Sequence, residues 1–324
     1  MPTAICLGEL LIDFCSTVSD VSLADAPAFA KAPGGAPANV AVGLKRLGTP
    51  SGFIGAVGND PFGQFLGQVL QREGVDVSHL AYIDGVRTSL AFVAVRSDGK
   101  QDFTFYRNPG ADMFLATKHI EEAYLRSAKA LHYGSISLID DSPRQATQRA
   151  RQIAGEAGLL ISYDPNLRRA LWPSDDLARQ QIRQGFAGAT VAKVSNEEWL
   201  FITGTEDLAG GAKMMFDAGV QLVIRSEGGE GATFLTPRHS GHVDPFKVKP
   251  VEFTGAGDAF VACMITRLLE PWSQGVTPSQ LDDAALRDIV RHANAVGALT
   301  TTKPGAIPAM PTSAEVQTFL QQYE

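Results

Sequence analysis

Thr254-Gly255-Ala256-Gly257-Asp258-Ala259-Phe260 runs directly into the apolar stretch 261–269. A turn almost free of side chains thus meets a helix-forming segment, with one carboxylate at the junction. The first turn of a helix carries backbone N–H groups without intrahelical partners, at the positive end of the helix dipole. Glycines let an anion approach those donors, and an adjacent carboxylate can take a proton from a nucleophile. Two readings fit these residues alone. One is a phosphate or oxyanion cradle with Asp258 as general base; the other is an ordinary helix start, with Thr254 as cap and Asp258 complementing the dipole.

The elements that must position this segment can be read from periodicity. An apolar run at 4–9 forms a first strand. Gly34-Gly35-Ala36-Pro37 opens a helix with Pro37 in its first turn; Gly48 ends it, and Val40, Ala41, Leu44 and Leu47 share one face. A strand at 52–57 and a helix at 61–73 follow. Between 88 and 107, Leu90, Phe92, Phe103 and Phe105 flank Ser97-Asp98-Gly99-Lys100, an alternation around Asp-Gly that predicts a β-hairpin. Further strands are expected at 130–133, 159–163, 190–194 and 221–225, and helices at 143–156, 175–187, 197–203 and 207–218. Residues 231–235 pair back as a hairpin, and helices over 255–269, 282–302 and 313–321 close the chain.

Alternating strands and helices imply a parallel sheet covered on both faces. The expected fold is therefore α/β: one doubly wound domain over 1–324, with a mostly parallel central sheet and a small antiparallel β flap from segments about 10–33 and 85–110. Ligands of such sheets bind beyond the carboxyl ends of the strands. Asp13, Gly34-Gly35, Asn39, Asp164, Asn166 and Ser226-Glu227-Gly228 all fall at such ends. Each alone is explained by turn chemistry, but their shared rim points to a single cleft.

Composition narrows the function. With 28 basic against 35 acidic residues, the net charge of −7 argues against non-specific nucleic-acid binding. No apolar run approaches the roughly 18 residues a membrane helix needs, and the N-terminus lacks the basic region of a secretory signal. Cys6, Cys15 and Cys263 are far apart, which predicts buried reduced thiols in a cytoplasmic protein. The six histidines show no zinc spacing, and neither a Walker A pattern nor a full G-x-G-x-x-G after a strand occurs.

Two segments in this order, Gly34-Gly35-Ala36-Pro37-Ala38-Asn39-Val40-Ala41 and Thr254-Gly255-Ala256-Gly257-Asp258-Ala259-Phe260, resemble the signatures of the ribokinase/PfkB carbohydrate kinase family, and most of all its bacterial fructokinases. Further similarity spans the chain, at Gly8-Glu9-Leu10-Leu11-Ile12-Asp13, Asp60-Pro61-Phe62-Gly63, Phe105-Tyr106-Arg107, Asp164-Pro165-Asn166-Leu167-Arg168 and Gly305-Ala306-Ile307-Pro308. The resemblance implies transfer of the γ-phosphoryl of ATP to a sugar hydroxyl. Asp258 would accept the hydroxyl proton, and the N–H groups of Gly255, Ala256 and Gly257 would stabilise the transferring phosphoryl. Asp13, Gly34, Gly35, Asn39 and Arg107 would bind the sugar.

For the nucleotide, the resemblance points to Asn166 and Arg168 along the triphosphate path, to Ser195, Ser226, Gly228 and Gly231, and to Asn294 facing the adenine. Glu198 would hold Mg²⁺ through water, although Ser195-Asn196-Glu197-Glu198 also matches a helix capping box. Glu252 stands where relatives carry an Asp that helps form a potassium site; its extra methylene leaves K⁺ activation open. Phe253 replaces a small polar residue and is expected to alter packing beneath the anion hole. The leading reading is an ATP-dependent fructokinase, active in the cytoplasm as a homodimer joined through the β lid. Alternatives are a 2-keto-3-deoxygluconate kinase or another kinase of this fold, and a catalytically silent binding or regulatory subunit.

Overall fold

A computed structural model describes residues 1–95 and 101–323. Strand β1 (Ala4–Leu7) is buried throughout and sends alternate side chains to opposite faces of the sheet. Ala4 and Cys6 join one hydrophobic layer, while Ile5 and Leu7 join the other. The chain then forms β2 (Leu11–Ser16), β3 (Phe29–Gly34), α1 (Ala36–Arg46), β4 (Ser51–Gly58), α2 (Pro61–Arg72) and β5 (Asp76–Ile83). A hairpin follows, β6 (Leu90–Val95) with β7 (Gln101–Tyr106). Its Ser97-Asp98-Gly99-Lys100 turn lies outside the described residues.

From residue 122 helices and strands alternate: α3 (Glu122–Arg126), β8 (Ala130–Gly134), α4 (Asp141–Glu156), β9 (Leu160–Asp164), α5 (Asp175–Gly185), β10 (Val191–Ser195), α6 (Asn196–Thr203), α7 (Leu208–Asp217) and β11 (Leu222–Ser226). The order closes with β12 (Ala232–Leu235), β13 (Ser240–Val243), α8 (Ala256–Ser273), α9 (Asp283–Thr301) and α10 (Ser313–Leu320). The nine-stranded sheet runs β13-β12-β11-β10-β9-β8-β1-β4-β5. All pairs from β5 to β11 are parallel, because a helical crossover returns each strand in the same direction. β12 and β13 follow short turns and pair antiparallel. Helices α1, α2, α8, α9 and α10 cover one face around Val40, Leu44, Met264 and Val296. On the other face α3 to α7 pack around Tyr133, Ile161, Trp199 and Met215.

The flap is a four-stranded sheet in the order β3-β2-β6-β7. Its β2–β3 and β6–β7 pairs are antiparallel, but its central β2–β6 pair is parallel. This qualifies the expectation of a wholly antiparallel flap: two hairpins that rise from the same rim meet side by side in one direction. Phe92 stacks on Phe14 at 5.1 Å and meets Phe29 edge-on, also at 5.1 Å, so one flap face is aromatic.

The periodic helices appear within two residues of their expected starts, while two strands had no clear signal. β5 is an edge strand with mixed exposure, and β13 has four residues of which none is fully buried, so neither presents an apolar buried face. Helix α8 continues to Ser273, past the expected end, with Pro271 in its last turn. Cys6 and Cys263 are buried and free, whereas Cys15, expected to be buried, is only partly covered on β2.

Candidate active site

Asp258 lies in the first turn of α8 and is buried. Gly255, just before the helix, has φ +80°, and a Cβ there would stand 2.7 Å from Cβ of Ala306. That left-handed turn brings the chain into the helix, whose first N–H groups have no partner one turn earlier within it. The Ala256 N–H is engaged, donating to the Phe253 carbonyl at 3.3 Å. Gly257 faces Lys193, whose Nζ would lie 3.2 Å from a Cβ at that position.

Two amides hold the Asp258 carboxylate. Asn39 Nδ2 donates to Oδ2 at 2.8 Å, and Asn166 Nδ2 donates to Oδ1 at 3.1 Å. Asn39 comes from the first turn of α1, and Asn166 from the turn after β9. Asn166 adopts φ +45°, a left-handed conformation that asparagine tolerates, and its N–H donates to Asp164 Oδ1 at 3.1 Å. Burial pushes the Asp258 pKa up, opposed by Asn39, Lys193, Arg168 and Asn166. A carboxylate of raised basicity, aimed by two fixed donors, suits proton abstraction.

Lys193 is a residue that periodicity and family signatures did not pick out. It sits on β10 with 6 % exposure, and its Nζ is 3.1 Å from Asp164 Oδ2. Burial pulls its pKa down, but Asp164, Glu198 and Asp258 more than offset this and keep it charged. Burial pushes the Asp164 pKa up, against the pull of Lys193. The available signal was a lysine in the strand Val-Ala-Lys-Val-Ser, whose other core positions are apolar. A buried cation there needs anionic partners.

At the flap end, Asp13 on β2 pairs in register with Ala32, and a side chain on Gly34 would collide with Asp13 Oδ2. Burial raises the Asp13 pKa to about 7; Arg168 opposes the rise, while Asp258 and Glu252 add to it. Arg168 lies 5.7 Å from the Phe103 ring, bridging rim and flap. Arg107 is buried and pairs with Asp112 at 2.6 Å and Asp140 at 2.8 Å. Its Nη2 has no hydrogen-bond partner among the described residues. A cavity of about 370 Å³ bounded by Phe103, Arg107, Asp140 and Leu171 opens beside it.

Ser195 and Ser226 are register partners at the ends of β10 and β11. Ser195 caps α6, accepting from Glu198 N–H at 3.3 Å, and Glu198 Oε2 accepts Ser195 N–H at 2.8 Å. The capping box is thus formed. Glu198 Oε1 also accepts Leu167 N–H at 2.5 Å, which ties α6 to the Asn166 turn. Gly228 and Gly231, with φ +58° and +97°, shape the loop after β11. Asn294 is further away in role: its Nδ2 donates to the Val243 and Asp244 carbonyls, each at 3.1 Å. Glu252 Oε2 accepts Gly305 N–H at 2.7 Å, tying two loops together. Phe253 is 58 % exposed, so it does not pack beneath the anion hole as expected.

Asp258, Asn39 and Asn166 are therefore in direct contact, and Asp13, Arg168, Lys193, Asp164 and Glu198 surround them as one charge cluster. A doubly wound sheet with a flap, and a buried carboxylate at a glycine-lined helix start on its rim, point to the sugar-kinase class. The chain belongs to the PfkB family: the model of "pfkB family carbohydrate kinase" matches residues 1–313. It is 48 % identical over 315 residues to Probable fructokinase-4 of Arabidopsis thaliana, covering 97 % of this chain and 95 % of that one. Its fold matches the fructokinase with bound ATP from Xylella fastidiosa, with a TM-score of 0.91 at 31 % identity over 100 % of this chain and 99 % of that one. The fructokinase of Vibrio cholerae O395 in its fructose, ADP and calcium ion bound form is similar too, at a TM-score of 0.86 and 36 % identity over 99 % of each chain.

Proposed function

We propose that the chain is an ATP-dependent fructokinase that phosphorylates the 6-hydroxyl of fructose. The observation that carries this reading is the buried Asp258, gripped by Asn39 and Asn166 at the entrance of a helix opened by Gly255. Asp258 takes the proton of the sugar hydroxyl as the oxygen attacks the γ-phosphorus. The new O–P bond forms as the bond to the bridging oxygen breaks, and that electron pair leaves with ADP. The helix N-terminus with Gly255 and Gly257 faces the charge spread over the transferring group, the Ala256 N–H being taken by Phe253, and Lys193 adds a fixed positive charge behind it.

Asp13, Asn39 and Arg107 supply the polar contacts to the sugar, and Gly34 and Gly35 let it lie against the backbone. Asn166, Arg168, Ser195, Ser226, Gly228, Gly231 and Asn294 make up the nucleotide side. Glu198, next to Asp164, provides hard oxygen ligands that suit Mg²⁺ held largely through water. When bound, the magnesium neutralises phosphate charge. Glu252 acts in this reading as a tie between two loops. The whole chain works as one kinase domain, with the flap as its lid. It forms a homodimer through the aromatic flap strands, whose Tyr106 is 63 % exposed, and acts in the cytoplasm.

A coupled ADP-release assay with fructose, 2-keto-3-deoxygluconate, ribose and adenosine tests the substrate. Fructose is expected to give the highest kcat/KM; turnover of another acceptor with none of fructose would replace this reading.

A further inference from the structure

Helix α1 lacks a cap from its own sequence. Its N-cap position is Gly35, which makes no side-chain cap bond, and Pro37 in the first turn has no N–H to donate. Gly35 cannot become a serine or aspartate: its φ is +110°, and a Cβ would collide with the Glu9 carbonyl. The cap comes from elsewhere. Glu9, in the link between β1 and β2, accepts the Ala36 N–H on Oε1 at 3.0 Å.

Glu9 is 4 % exposed, and its Oε2 has no hydrogen-bond partner among the described residues. Nothing about burying a carboxylate here favours folding by itself. Its position instead serves the site. Ala36 starts the turn in which Asn39 N–H donates to the Gly35 carbonyl at 2.9 Å, and Asn39 Nδ2 reaches Asp258. The same contact fixes the backbone next to Gly34, which faces Asp13.

We propose that Glu9 is a positioning residue for phosphoryl transfer: its carboxylate clamps the start of α1 and so sets both the glycine loop under the sugar and the Asn39 amide that aims Asp258. The proposal rests on the sugar-kinase reading of that site. It predicts a loss chiefly on the sugar side, because Glu9 Oε1 bonds to the start of α1, whereas Ser195 and Ser226 stand at the ends of β10 and β11.

Steady-state kinetics of Glu9→Ala, Glu9→Gln, Asn39→Ala and the Glu9→Ala/Asn39→Ala pair test it. In Glu9→Ala, kcat/KM for fructose is expected to fall roughly 10–100-fold, since a displacement of about 1 Å is enough for such a loss, while KM for ATP stays within about twofold. Glu9→Gln keeps an acceptor for Ala36 N–H and is expected to regain most of that activity. In the Asn39→Ala background, Glu9→Ala should cost clearly less than in the wild type, because the part of its effect that runs through Asn39 is already lost while the part through the glycine loop remains. A Glu9→Ala enzyme within about twofold of wild type, equal losses for fructose and ATP, or full additivity with Asn39→Ala would overturn the positioning role. Failure of the wild-type chain itself to phosphorylate fructose would overturn the kinase reading and this proposal together, a result separate from all of these.

Discussion

Replacing Asp258 by asparagine exchanges one carboxylate oxygen for an NH₂ group in a site where both oxygens are already used. Asn39 and Asn166 donate to different oxygens, at 2.8 and 3.1 Å. The amide keeps only one acceptor, so one of these donors faces another donor, and a hydrogen bond to a charged group worth about 1.5–3 kcal/mol is lost. An opposite effect arises from burial, which raises the Asp258 pKa in the folded protein. A raised acid stabilises the fold while protonated and loses that stability on ionising, so a neutral asparagine escapes the cost at neutral pH. The two effects oppose each other, and Tm is expected to stay within about 5 °C of wild type. Catalysis has no such offset. General-base assistance contributes roughly 10²–10⁴-fold, so kcat should fall by that factor, or about 3–5 kcal/mol in the barrier. Calorimetric binding of fructose should change by less than about tenfold, since the proton leaves only in the transition state. The assay is ADP release with thermal unfolding measured in parallel. A folded Asp258→Asn enzyme keeping more than about one-tenth of wild-type kcat would refute the assignment of the base.

Gly34→Ala places a methyl group against Asp13 Oδ2 and is expected to raise the fructose KM at least about tenfold with little change in the ATP KM; equal effects on both would point to general misfolding. Asp13 and Glu9 both have pKa values pushed up to about 7, chiefly by burial. The stability they contribute is present below the unfolded carboxylate range and lost as pH rises through about 7, so Tm of the ligand-free protein should decline from about pH 5 to about pH 8. Asp13→Asn should flatten that decline, and an unchanged slope would contradict the assignment; Asp60 and Glu315, whose pKa values are lowered, act only on the acid side of this window. Asp60 caps α2 through the Phe62 and Gly63 N–H groups at 3.0 and 2.9 Å, and accepts from Thr88 N–H and Oγ1, both at 2.8 Å. Asp60→Ala should lower the unfolding free energy by about 2–4 kcal/mol in a denaturant titration, and a loss below about 1 kcal/mol would show the cap to be dispensable.

Much of the fold is legible in the order of residues alone. The 3.6-residue spacing of Val40, Ala41, Leu44 and Leu47 predicts α1, and strand–helix alternation predicts the parallel sheet, because burying one face imposes a local period. The glycines at 34, 35 and 255 point to close approach, and a side chain at each would collide with its neighbours. Less legible are the edge strands of the sheet and the ion pairs that no local period links. β5 and β13 sit at the two edges of the sheet and have few or no fully buried positions. Arg107, which the resemblance places at the sugar, is held by Asp112 and Asp140, a pairing no spacing rule encodes.

Residue order alone establishes which chemical groups are present and where local geometry allows an anion: a carboxylate after two glycines at a helix start, and a second glycine pair ahead of an asparagine. Local backbone preference and side-chain type are properties of neighbouring residues, so they survive in a linear reading. It takes the packed fold to bring Asn39 onto Asp258 across 219 residues, to set Lys193 behind Gly257, and to let Glu9 supply the cap that Gly35 cannot. Those contacts depend on how the crossovers stack strand ends on one rim, and burial then converts proximity into shifted pKa values and fixed donors.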